Sequence, residues 1–229
     1  MATSSLRHKQ LLDQVLVKGH PLLAQVCAPV TLRHLTQSNT FRADCTRLCE
    51  TLLAFRFTHG YGRAIAAPQI GINLRMIALN LTACANYESL YRHSLSQQPR
   101  ANDRETTTLS PFCLPGDCLV LMNPQITYKS RETRTVWDDC LSLPDTMVRV
   151  RRHEKIGVQW MDHHGDTHIW QPDDLEFDLS ELLQHEMDHL DGTLATDIVA
   201  EDDQHPSIIS RREFEANKEF YQSYVDYII

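Results

Sequence analysis

The sequence predicts an α+β fold, mostly antiparallel strands around one central helix, on three observations. Short apolar runs of strand length are separated by turn residues, two alternating segments flank a glycine-containing turn, and one helical segment carries two histidines four residues apart. With 229 residues, 42% of them apolar, the chain can bury one substantial core, and a single domain over residues 1–229 is expected.

The elements follow in order. Residues 44–58 place Leu48, Leu52, Leu53 and Phe55 at helical spacing, which predicts a helix. Residues 74–79 and 118–122 read as short buried strands, the second ended by Asn123-Pro124. Between them, residues 84–116 are rich in Ser, Thr, Gln, Asn and Pro without periodicity, which predicts an insertion. The densest basic run, Arg149-Val150-Arg151-Arg152-His153, reads as a strand with exposed charges. Residues 155–160 alternate, Asp162-His163-His164-Gly165-Asp166 turns, and residues 167–170 return, so a hairpin is expected with His163 and His164 as solvated loop residues. Residues 180–190 predict a helix stopped by Gly192. Residues 208–227 predict an amphipathic C-terminal helix that uses Phe214, Phe220, Tyr221 and Tyr224 for packing.

The chemistry lies on the helix before Gly192, in His185-Glu186-Met187-Asp188-His189. At 3.6 residues per turn, positions i and i+4 share a face, so both imidazoles can grip one metal ion while Glu186 reaches a water on it. That is a hydrolase arrangement. A third ligand is required. A third histidine six residues on is excluded, because Ala195 stands there, while Glu201, Glu213 and Glu215 are downstream candidates. Upstream, Cys140 stands alone between acidic residues and a short apolar turn, and one thiolate with two imidazoles leaves a tetrahedral position open for catalysis.

Composition limits the alternatives. A net charge of −8 and a pI near 5.8 argue against a nucleic-acid surface. No apolar run reaches membrane-spanning length, and the first ten residues lack the apolar core of a secretory signal. Seven irregularly spaced cysteines suggest no disulfide framework, so a reducing compartment is expected, the cytoplasm first and an organelle matrix second.

These residues resemble the peptide deformylase family. Its motif Gly-x-Gly-Leu-Ala-Ala-x-Gln is matched by Gly62-Arg63-Ala64-Ile65-Ala66-Ala67-Pro68-Gln69, and Glu-Gly-Cys-Leu-Ser by Asp138-Asp139-Cys140-Leu141-Ser142. Gln-His-Glu-x-Asp-His-Leu-x-Gly is matched at every fixed position from Gln184 to Gly192, and weaker matches extend upstream through Val17 to Leu23 and Ala28 to Val30. The resemblance implies a deformylase-like α+β fold. It also implies one divalent ion on Cys140, His185 and His189, with Fe2+ expected and Zn2+, Ni2+ or Co2+ as alternatives. Glu186 is then the proton carrier, and the Gln69 amide with the Leu141 backbone N–H stabilises the oxyanion. The implied substrates are N-formylmethionyl peptides, with nascent chains at the ribosome as one source.

Five positions depart from the family pattern. Ala64 replaces a glycine, Asp138-Asp139 replaces Glu-Gly, and Arg63 and Glu181 stand where apolar residues near the methionine pocket are expected. Arg63, Ala64, Asp139 and Glu181 are therefore candidate substrate-binding residues. The resemblance also places Arg152 where the family carries an arginine near the site, with Asp188 as one acidic neighbour for it to pair with. Arg63 and Glu181 would pair across the pocket, mark a more polar substrate residue, or point to solvent. Two other readings compete: an endoprotease that takes a downstream ligand, and a non-catalytic binding module built on the same fold.

Overall fold

A computed structural model describes residues 2–80, 83, 118–202 and 204–229. The expected insertion at 84–116 lies outside the described residues. The helices before the site are α1 (Ala2–Leu12), α2 (Leu32–Gln37) and α3 (Asn39–His59). The predicted helix at 44–58 is thus longer at its start. Ser38 caps α3 by accepting from the Phe41 N–H at 3.0 Å, and Gly60 ends it in the left-handed region.

Among the described residues the strands form two antiparallel sheets. The larger has the order β1 (Ala64–Ala66), β2 (Met76–Asn80), β3 (Cys118–Lys129), β6 (Ile156–Met161), β7 (Thr167–Trp170). The smaller has the order β4 (Thr133–Asp139), β5 (Thr146–His153), β8 (Ile208–Ser210). The predicted hairpin forms as β6 and β7, paired from Val158↔Trp170 to Met161↔Thr167.

The central helix α4 (Phe177–Leu190) explains why β1 and β2 carry no exposed residue. Successive strand residues point to opposite faces. Ile65, Met76, Ala78, Val120 and Met122 pack with Phe41, Cys45, Leu48 and Leu52 of α3, whereas Ala64, Ala66, Ile77, Leu79 and Leu121 pack with Leu179, Leu182, Leu183 and Leu190 of α4. The sheet is therefore the middle of three layers, and burial on both faces replaces polar alternation by continuous apolar runs. Leu183, fully buried where α4 meets the sheet, is a sensitive position. Leu183→Ala is expected to cost about 2–5 kcal/mol of stability, read from denaturant unfolding.

Three expectations are corrected. β3 does not end at Asn123-Pro124 but runs on to Lys129 across a register shift. Asn123 takes φ 50°, and its side chain accepts from the Val30 N–H at 2.7 Å and donates to the Val30 carbonyl at 2.8 Å, so a bulge houses the proline that a regular ladder would reject. Residues 149–153 do lie in a strand, yet Arg149 and Arg152 are each only 3% exposed, held by acidic partners rather than by water. The C-terminal segment is not one helix. Residues 208–210 extend the smaller sheet as β8, and α5 (Arg211–Ala216) and α6 (Lys218–Gln222) follow, separated at Asn217. Ser210 caps α5 on the Glu213 N–H at 3.1 Å, and Asn217 donates to Glu213 instead of continuing the helix. Phe214 and Tyr221 still pack, on Trp137 and Met147, but Phe220 is 59% exposed. Among the described residues no helix is long and apolar enough to cross a membrane.

Candidate metal centre

Strand alternation and helical spacing bring the chemistry together. On β4 the side chains of Val136, Asp138 and then Cys140, just past the strand's end, take one face, while Trp137 and Asp139 take the other. Val136 and Cys140 share one apolar cluster and Trp137 belongs to another, in keeping with that division. From the helix side, α4 turns His185 and His189 to the same face, with ring centroids 4.8 Å apart. His189 Nε2 lies 3.2 Å from Cys140 Sγ and 3.2 Å from His185 Nε2. Cys140, His185 and His189 are all buried, and their donor atoms lie within 4.8 Å of one another. Among the described residues this is the group that could hold a metal ion, and Glu201, Glu213 and Glu215 take no part in it.

Asp138 organises the group. Its carboxylate meets His185 Nδ1 at 2.8 Å and receives Arg152 Nη2 at 2.8 Å. The Nδ1 bond turns His185 Nε2 toward the thiol, as a carboxylate on the far ring nitrogen does for metal-binding imidazoles. Arg152 also bridges to Asp188 of α4, so one guanidinium fastens β4, β5 and α4 together. Burial would raise the Asp138 carboxyl, but His185 and Arg152 outweigh burial and hold it well below the usual carboxylate range. Burial also works against charge on His185, yet Asp138 and Cys140 prevail and hold its pKa well above the imidazole range. His189 goes the other way: burial, then the neighbouring His185, pushes it well below. The field at the meeting point of the three donors thus favours one positive charge, which a divalent cation can supply in place of a proton. A thiolate with two imidazoles suits Zn2+, Fe2+ and neighbouring ions.

Glu186 is 3% exposed and lines the same cleft as His185. Its Oε2 has no hydrogen-bond partner among the described residues. Burial is the main reason that its carboxyl is raised to about 7, with Asp138 and Glu181 adding to the rise against His185. Gln69, in the turn Ala67–Ile70 after β1, accepts from the Ala66 N–H at 2.8 Å and donates toward Cys140 Sγ at 3.6 Å and Ser142 Oγ at 3.3 Å. Leu141 and Ala64 line the cleft.

The cleft encloses about 630 Å³. Arg63 donates to Glu181, which is buried on α4, so these two charges pair and do not point separately to solvent. Gly62 makes that possible: at φ +127° a Cβ there would stand 2.9 Å from the Phe55 ring. Asp139, on the opposite face of β4 from the donor atoms, still lines the cleft and pairs there with Arg211 at the foot of α5. His163 and His164 lie on the hairpin turn and take no part in the cluster. Sequence reasoning treated Asp138 only as a departure and did not foresee Arg211. The spacing of two between Asp138 and Cys140 on a strand was the available signal for the first; nothing local marks the second.

The model of the polypeptide deformylase family matches residues 12–205. A peptide deformylase of Bartonella tribocorum is 32% identical over 180 residues, covering 79% of this chain and 80% of that protein. Chloroplastic peptide deformylase 1A of Solanum lycopersicum is 29% identical over 199 residues, and the chain spans 85% of itself but 62% of that protein's length. Among solved structures, peptide deformylase from Thermotoga maritima shares the fold at TM-score 0.57, with 24% identity over 82% of this chain and 97% of that one. A Met-Ala-Ser-bound class I type b peptide deformylase from Acinetobacter baumannii matches at TM-score 0.53 with 25% identity, covering 81% of this chain and 96% of the other.

Proposed function

Since the chain belongs to the polypeptide deformylase family, we propose that it is a metal-dependent amide hydrolase of one domain that removes the N-formyl group from peptide N-termini and releases formate. The observation that carries this reading is the convergence of Cys140 Sγ with the His185 and His189 rings, at the edge of a cleft that His185 and Glu186 line.

Cys140, His185 and His189 would hold the ion, Fe2+ first, with Zn2+, Ni2+ or Co2+ as alternatives. When bound, such a cation acidifies water and polarises a carbonyl oxygen. Glu186 takes the proton from the attacking water and delivers it to the departing amine nitrogen as the C–N bond breaks. The Gln69 amide and the Leu141 N–H donate to the oxygen that becomes negative in the tetrahedral intermediate. Asp138 keeps the His185 Nε2 lone pair aimed at the ion. Asp138→Asn is therefore expected to lower metal affinity by about 10–100-fold, read by competition with a chromogenic chelator.

N-formylated peptides, nascent chains among them, are the proposed partners, and no nucleic acid is required. Unbridged thiols at Cys27, Cys45, Cys49 and Cys140 suit a reducing compartment, for which we place the cytoplasm ahead of an organelle matrix. The test is anaerobic formate release from a set of formyl tripeptides by the Fe2+-loaded chain. Formate is expected from the parent and not from Glu186→Ala; a parent that releases none from any peptide overturns the reading.

A further inference from the structure

Two ionisable groups in the cleft have no part in the hydrolytic step. Glu181 lies one turn before His185 on α4, so the two side chains share a helix face with their Cα atoms about 6 Å apart along the axis. Its carboxylate is 3% exposed and lines the cleft together with His185 and Glu186. Arg63, just ahead of β1, donates through Nη2 to Glu181 Oε1 and through Nη1 to the Asp178 carbonyl at 2.9 Å. Among the described residues Glu181 Oε2 makes no hydrogen bond. Burial raises the Glu181 carboxyl, and Arg63 offsets this only in part.

We propose that this ion pair recognises the side chain of the residue whose N-formyl amide is cut, and that it selects an uncharged side chain bearing an N–H donor, glutamine or asparagine, over methionine. The proposal rests on the deformylase reading and specifies its substrate. A donor on Glu181 Oε2 satisfies the unfilled position, and an amide reaches it within the short distance that separates Glu181 from the metal-binding face. A methionine thioether displaces water from the same oxygen and donates nothing in return. A lysine head adds a third charge to a pair that is already neutral, and a substrate carboxylate meets Glu181 as a like charge.

The test uses the full metal-loaded chain and two measurements. Calorimetry ranks unformylated Gln-Ala-Ser, Asn-Ala-Ser, Met-Ala-Ser and Lys-Ala-Ser, and formate release ranks their formylated forms. The expected order places glutamine or asparagine about 10–100-fold ahead of methionine in both Kd and kcat/KM. The double variant Arg63→Ile with Glu181→Ile is expected to put methionine first. A parent that binds methionine or lysine best, or that binds all four alike, overturns the proposal, and this holds even if the double variant does not fold. Glutamine-first binding with no formate from any peptide supports the pocket assignment and overturns the deformylase reading instead.

Discussion

Replacing Glu186 by alanine is expected to leave the metal bound and to lower formate release by about 10²–10⁴-fold, the range for loss of a positioned proton carrier. Metal should stay because Glu186 neighbours a proposed ligand without belonging to the three-residue donor cluster, and turnover should fall because its Oε2 lies buried with no partner among the described residues. A buried carboxylate oxygen with nothing to accept from is unfavourable for the resting fold, as groups reserved for a reaction often are. Glu186→Ala should accordingly unfold at a temperature no lower than the parent's. Metal content by atomic absorption, turnover by a coupled formate assay and unfolding by calorimetry check these outcomes. Undiminished turnover would remove Glu186 from the mechanism, and metal loss would make it a ligand.

Cys140→Ala is expected to abolish both metal retention and turnover while the secondary structure stays intact. Cys140 contributes one of three donor atoms, and two imidazoles alone leave a divalent ion too few strong ligands to survive dialysis. The packing loss is small by comparison, since the side chain is one of the smaller members of a cluster with Val136, Val148 and Val150. Chelation of the parent should reproduce the loss, and added Fe2+ should restore the chelated parent but not the variant. An endoprotease that relies on a downstream glutamate would keep its metal after this change, so retained metal in Cys140→Ala would reopen that reading.

Much of the site was legible because its two halves obey local periodicities. His185 and His189 share a face by helical repeat, and the apolar runs of β2 and the first half of β3 announce buried strands. What escaped was set by contacts distant in sequence. Arg149 looks like a solvent charge until Asp202 comes beside it, and Arg152, whose pairing with Asp188 the family resemblance allowed, also takes Asp138 as a partner. Ile208 and Ile209 fit a helical pattern and a strand pattern equally well, and pairing of Met147 with Ile209 in β5 and β8 decides between them. Asn123-Pro124 ends a strand by local rule, but two hydrogen bonds to Val30 carry the chain through. Arg63 and Glu181 could be placed only once the loop after α3 was seen to lie against α4.

The alternation along β4 has a consequence for how this chain tolerates change. Neighbouring aspartates serve opposite clients: Asp138 steers the His185 ring, and Asp139 moors the tail through Arg211. A one-residue insertion or deletion upstream in that strand would invert its phase. The mooring acid would then swing inward and the steering acid outward, with every atom of both still present. Length variation is therefore expected to be confined to the turn at 130–132, while point changes on β4 remain open to selection.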